Sequence, residues 1–191
     1  MDDDQDLVEA IETERLRLRS PRAADAAAFA ASLPPEVTMW LNSWPAEVSV
    51  ELAAQRIETM RARLAENRAL ESREFLSFVI ERRSDKRLLG AIGAMVKPEH
   101  PERAEIGYHL DPDHHGQGYV VEAAKALIEA IWRLTDVSSV AAAANLANAP
   151  SFKVMERLGM TPTIEQAIYS PGRDVWEMCR YYELKRPNPT A

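Results

Sequence analysis

The sequence predicts an α+β fold, a mostly antiparallel sheet flanked by helices, and three observations predict it. Strand-like runs at 75–81, 88–96 and 104–110 follow one another with only Ser84-Asp85-Lys86 and Pro98-Glu99-His100-Pro101 between them, which suggests an antiparallel meander. A strongly helical segment, 119–134, then leads to a short buried-looking strand at 137–144, making a strand–helix–strand unit. Two last strand-like runs, 163–170 and 174–184, flank Pro171-Gly172 as a hairpin.

The elements follow in order. Residues 1–14 carry seven acids and no base, so 1–13 read as a solvated acidic tail. Removing those seven from the 30 acids leaves 23, equal to the 23 bases, so the net charge of −7 belongs to the tail and the body is near neutral. Residues 14–186 read as one domain and 187–191 as a C-terminal tail. Leu16 and Leu18 alternate with Arg15, Arg17 and Arg19, the period of a half-buried strand with a solvated basic face. Ser20-Pro21 offers an N-cap and first helical position for the Ala-rich segment to Leu33, and Pro34-Pro35 stops it. A second helix begins at Ser49, with Val50, Ala53, Ile57, Met60 and Leu64 on one buried stripe. Between these helices Trp40 and Trp44 are four residues apart; they either pack in the core or wall a substrate pocket. In 119–134, Glu122, Lys125, Glu129 and Arg133 line one face and Val120, Ala124, Leu127, Ile131 and Leu134 the other. Pro150 opens a short helix that Gly159 ends.

Composition narrows the function classes. A hydrophobic content of 46% with 28% charged residues is that of a soluble globular protein. No apolar run approaches the ~20 residues of a membrane helix. The acidic start is unlike a secretory signal, and Cys179 stands alone, so a cytoplasmic location is expected. No stripe of Lys and Arg interleaves with aromatics, which argues against nucleic acid as a partner.

The segment DPDHHGQGYVVE, Asp111 to Glu122, carries the chemistry. Asp111, Asp113, His115, Gly116 and Glu122 fall on positions of a calcium-loop template, but the run before them reads as a strand rather than a helix and position five is a histidine. His114 and His115 are adjacent, with no HxxxH pair for zinc. No metal is expected. Gly116 and Gly118 let the backbone curl and turn successive N–H groups to one side, and the helix that begins there adds its own free N–H groups and positive dipole end. Gln117 supplies an uncharged polar side chain between them. The position of the glycines, between a strand and a helix, favours an anion site over a plain tight turn.

AEIGYHLDPDHHGQGYVVEA closely resembles the acetyl-CoA-binding motif of the GNAT N-acetyltransferases, and best the branch of the ribosomal-protein N-terminal acetyltransferases. ETERLRLRSPRAADAAAF, KRLLGAIG and NAPSFKVMERLGM resemble further parts of that family, in its order, over roughly residues 12–186. The resemblance implies the GNAT-type acyl-CoA N-acyltransferase fold, whose mixed, twisted sheet splays open to admit acetyl-CoA. It implies that backbone N–H groups of His114, His115, Gly116, Gln117, Gly118 and Tyr119 cradle the diphosphate. Leu110 and its neighbours His109 and Asp111 would pair with the pantetheine arm. Asn148 would help to hold that arm, and Ser151 would lie near the sulfur.

An amine with a pKa near ~10 must lose a proton before it attacks a thioester. Glu105, in the strand before the loop, is the candidate base and His109 its competitor. Many relatives carry a Tyr proton donor seven residues after the motif Asn; Met155 stands there, leaving Ser151 as donor or as a simple helix-start residue. Asp113 stands where many relatives carry Arg or Gln, and its side chain is expected to point away from phosphate. Trp40, Trp44, Tyr108 and Trp176 are the pocket-shaping candidates. The implied function is acetyl transfer from acetyl-CoA to a primary amine, a protein N-terminus or a small molecule, in a ternary complex. The alternative is a non-catalytic acetyl-CoA sensor on the same scaffold. Oligomeric state stays open, a homodimer included.

Overall fold

In the computed structural model, which describes residues 6–69 and 74–187, the elements run β1 (Ile11–Glu12), β2 (Leu16–Arg19), α1 (Ala26–Ala31), α2 (Pro35–Thr38), α3 (Val50–Ala69), β3 (Phe75–Arg82), β4 (Leu88–Val96), β5 (Arg103–Leu110), α4 (Tyr119–Leu134), β6 (Ser139–Asn145), α5 (Ala149–Arg157), β7 (Thr161–Ser170) and β8 (Val175–Lys185). Among the described residues the strands form one eight-stranded sheet in the order β1-β2-β3-β4-β5-β6-β8-β7. Neighbours are antiparallel throughout except β5 and β6, the pair that α4 connects.

Strand alternation sorts the core into two layers. Leu76, Phe78 and Ile80 of β3 share one face with Leu16 and Leu18 of β2, and pack on Ala123, Ala124, Leu127 and Ile131 of α4. Val79 of β3 and Ala91 of β4 point the other way, onto Phe29 of α1 and Ala53 and Ile57 of α3. Val50, read as part of the α3 stripe, is instead exposed.

The single parallel ladder is short. β5 and β6 pair from Arg103↔Ser139 to Glu105↔Ala141 and no further, although β5 runs on to Leu110 and β6 to Asn145. β6 stays bonded to β8 from Ser139 to Asn145. The sheet therefore opens between β5 and β6 like a V.

Three local expectations need correction. Ser20 does not cap a helix; its buried hydroxyl accepts the Leu7 and Val8 N–H groups at 3.0 and 3.2 Å. The chain turns in through a short 3-10 segment, Ala23–Asp25, where Asp25 accepts the Arg22 N–H at 2.7 Å. Pro34-Pro35 ends one helix but also starts another, because Pro35 occupies the first turn of α2, where no N–H is needed. The acidic segment is packed from residue 6 onward: Asp6 pairs with Arg17 at 2.9 Å, Leu7 is buried, and β1 pairs with β2. Asp2, Asp3 and Asp4 of the tail, and residues 188–191, lie outside the described residues.

Candidate active site

A cleft of about 870 Å³ fills the opening between β5 and β6 and continues through the sheet to its α1–α3 side. At one end it is lined by the turn before α4, at its middle by Tyr108, His109, Ala143 and Ser151, and at the other end by Phe29, Val37, Trp40, Leu41, Trp44 and Met60.

The glycine turn is built by its own side chains. Asp111 accepts the Asp113 N–H at 3.1 Å and starts a 3-10 turn, Pro112–His114. Gly116 and Gly118 then take φ of 73° and 80°, the left-handed region that favours glycine. A Cβ at Gly116 would meet nothing and one at Gly118 only the Arg15 tip at 3.6 Å, so conformation, not space, demands the glycines. Gly118 immediately precedes α4, whose first internal bond is Glu122 N–H to the Gly118 carbonyl at 3.0 Å. Two of the expected donors are spent locally, His114 N–H on the Asp111 carbonyl and His115 N–H on the Pro112 carbonyl, each at 3.0 Å. The donors left to an anion run from Gly116 into the first turn of α4. His115 Nε2 ties the turn back to the Leu110 carbonyl at 2.9 Å, so that carbonyl is already engaged. His114 is buried, its ring edge-on to Tyr119, and its Nε2 has no hydrogen-bond partner among the described residues. Asp113 and Gln117 are exposed and do not line the cleft.

A clamp holds the turn that the sequence reading treated as a solvated face. The Arg15 guanidinium bonds Glu122 of α4 at 2.6 Å and the Gln117 carbonyl at 3.0 Å, and lies 4.5 Å over the Tyr119 ring. Glu122 also accepts the Thr13 hydroxyl at 2.5 Å and the Arg15 N–H at 2.9 Å. The three acids of the calcium-loop coincidence are engaged elsewhere or exposed, and no cluster of three metal-ligating side chains occurs among the described residues.

Along β5 the backbone direction alternates. Asp111 N–H bonds the Leu89 carbonyl of β4 at 2.7 Å, and Ala104 pairs with Val140 in the parallel ladder. The peptide groups of Ile106, Tyr108 and Leu110 consequently face away from β4: the Ile106 N–H still closes the Glu105↔Ala141 rung, while the Ile106 carbonyl, the Tyr108 peptide group and the Leu110 N–H face the place β6 has left. Side chains alternate as well, Tyr108 to the α4 side and His109 to the α1 side. Tyr108 reaches across the gap to Ser151 of α5, hydroxyl to hydroxyl at 2.8 Å. Burial raises the Tyr108 pKa while the Ser151 bond pulls it down. Asn148 caps α5 by accepting the Ser151 N–H at 3.2 Å.

His109 is buried edge-on to Phe29, ring centroids 5.3 Å apart. Burial pushes its pKa down to about 4. Its Nε2 lies 3.1 Å from Ser32 Oγ, and that hydroxyl donates to the Phe29 carbonyl at 2.8 Å. Ser32 can then only accept, which puts the imidazole proton on Nε2 and leaves Nδ1 a bare acceptor.

Glu105 is placed differently from its expected role. It sits on the last paired rung of β5, before the cleft opens, and is held by Lys97 at 2.5 Å and Arg103 at 3.0 Å. It does not line the cleft. Trp176 is also elsewhere, 71% exposed on β8 and 5.4 Å from Tyr169. Trp40 and Trp44 do line the far end, and the tip of the β7–β8 hairpin buttresses that wall: Gly172 N–H and Ser170 Oγ both donate to the Asn42 carbonyl, at 3.1 and 3.0 Å, and Arg173 donates to the Met39 carbonyl. A Cβ at Gly172 would fall 2.2 Å from the Trp44 carbonyl oxygen, so only glycine allows the approach.

Residues 15–161 match the acetyltransferase (GNAT) domain family. The chain belongs to that family. The GNAT chain is 30% identical over 165 residues to the uncharacterized N-acetyltransferase YoaA of Bacillus subtilis, covering 85% of this chain and 89% of that protein. Its fold is similar to a putative ribosomal-protein-serine acetyltransferase from Vibrio cholerae, with a TM-score of 0.78, 21% identity and coverage of 95% and 100%. It is similar also to RimL, a ribosomal α-N-protein acetyltransferase solved in complex with coenzyme A, with a TM-score of 0.74, 19% identity and coverage of 93% and 98%. The protein is an acetyl-CoA-dependent N-acetyltransferase. No helix among the described residues of this GNAT enzyme is long and apolar enough to cross a membrane. Its Met155 is a fully buried core residue. Lys153 and Arg157 of α5, which sequence reasoning passed over, line the cleft and add positive charge to it.

Proposed function

We propose that the enzyme acetylates a primary amine, a protein N-terminus or a small amine, by direct attack on acetyl-CoA bound in the cleft. The observation that carries this reading is that one continuous cleft joins a glycine turn at a helix start, a gap of unpaired strand backbone and an aromatic end. The diphosphate rests on the N–H groups from Gly116 into α4, with Lys153 and Arg157 adding charge. The pantetheine arm takes the missing place of β6, bonding the Ile106 carbonyl and the Tyr108 peptide group as an added strand would. That puts the thioester beside Tyr108 and Ser151, and the amine arrives from the side of Trp40 and Trp44.

The amine nitrogen forms a bond to the carbonyl carbon, and the resulting oxyanion is stabilised by fixed backbone N–H donors in the gap. The carbon–sulfur bond then breaks, and the leaving thiolate takes a proton from the Tyr108–Ser151 pair. The amine loses its proton toward His109, whose Nδ1 is the acceptor left open; a pKa of about 4 keeps that ring neutral at neutral pH. Glu105 has no part in this, being locked between two cations outside the cleft.

The test is thiol release from acetyl-CoA against a panel of N-terminal peptides and small amines, with products read by mass. The expected outcome is amine-dependent release that falls on the order of a hundredfold in Tyr108→Phe, with acetyl-CoA affinity retained. Binding of acetyl-CoA with no amine-dependent release would make the protein a sensor instead.

A further inference from the structure

Of the seven glycines, Gly107 is the one whose presence neither conformation nor packing explains. Its φ lies outside the left-handed region, since the positive-φ glycines are Gly116, Gly118 and Gly159. A Cβ built on it meets no atom within 4 Å. Its cross-strand neighbour Gly93 is different, for a Cβ there would fall 2.6 Å from the Leu76 carbonyl oxygen. A strand interior loses stability to an unneeded glycine, and such a glycine commonly marks a place where a ligand comes close to the backbone.

Gly107 lies at such a place. It lines the cleft, two residues beyond the last β5–β6 rung, on the face of the sheet that His109 shares. The side chain it lacks would project into the acceptor half of the cleft, roughly 7 Å along the strand from His109. Ser77, paired with Gly93, extends the same bare row across the sheet floor.

We infer that Gly107 is a specificity-determining residue for the acceptor: the space it keeps empty receives the substituent on the carbon that bears the amine, so the enzyme takes α-branched amines, such as peptide N-termini, as readily as unbranched ones. The inference rests on the acetyl-transfer reading above and names the acceptor feature that site selects.

The experiment compares wild type with Gly107→Ala and Gly107→Val on two acceptors, an unbranched alkylamine and a peptide amine. Both variants fold, because the added atoms enter open space, and both keep coenzyme A affinity within about twofold by calorimetry. The ratio of kcat/KM for the branched over the unbranched acceptor falls on the order of tenfold in Gly107→Ala and further in Gly107→Val, carried by KM. An unchanged ratio in both variants, or equal losses on both acceptors, overturns the inference. Wild type that binds coenzyme A yet releases no thiol with any amine would instead overturn acetyl transfer itself, and the two failures are read separately.

Discussion

His109 shows how a single residue's surroundings decide its chemistry. From sequence alone it competed with Glu105 for the role of base, because a strand residue's direction cannot be read without its register. Once Asp111 is seen bonding to Leu89, parity places His109 on the α1 side, against Phe29 and Ser32, and moves Glu105 four residues back to the closed end of the opening. The same parity would have singled out Tyr108 as facing Ser151. Burial has a measurable consequence at His109. Its pKa is about 4 in the folded protein and near 6.5 when unfolded, so between those values the unfolded chain binds the extra proton. The contribution is therefore complete above about pH 6.5 and is lost as the pH falls toward 4, on the order of 3 kcal/mol in all. The thermal midpoint of the wild type should drop across that window more steeply than that of His109→Leu. Equal slopes would mean the ring is not held neutral. The rate should rise with pH along the amine's own ionisation, with no break near 6.5.

At the scale of elements, the glycine turn depends on a neighbour distant in sequence. Its outline was legible, because two glycines between a strand and a helix imply a tight curl whatever the fold. Its clamp was not, because Arg15 stands more than a hundred positions before Glu122 and its alternation with Leu16 reads as an ordinary strand face. Removing that guanidinium leaves Glu122 with only the Thr13 hydroxyl and the Arg15 backbone N–H, and frees the Gln117 carbonyl. Arg15→Ala should weaken coenzyme A binding about threefold to thirtyfold, on the scale of one or two lost hydrogen bonds, with kcat at saturation unchanged. A fall in kcat with unaltered affinity would show that the arginine acts on the chemistry and not on the turn. The short helix α2 shows the same limit: Pro34-Pro35 signals a stop, but whether a new turn starts depends on what waits beyond, here a wall that the hairpin tip at Gly172 holds in place.

Across the whole molecule, the order of elements and the two-layered core follow from periodicity, since meander, crossover and hairpin each have a local signature. Ion pairing that ties remote segments does not: Arg19 is buried between Asp25 and Glu81, at 2.8 and 2.7 Å, and joins β2, β3 and the entrance to α1. Nor is it evident in the sequence that β5 and β6 part after Glu105 and Ala141, because strand length says nothing of where a ladder ends. That parting leaves a signature in time as well as in space. Amide hydrogens of Gly107 and His109 face β4 and those of Tyr108 and Leu110 face the gap, so deuterium uptake along this strand should be jagged. The His109 amide, turned to β4, should exchange slowly throughout. Those of Tyr108 and Leu110 should exchange fast without ligand and slow when coenzyme A fills the gap, whereas the Ile106 amide, on the last β5–β6 rung, should be slow throughout. A smooth protection profile would mean that the strand edge is closed off before any donor arrives.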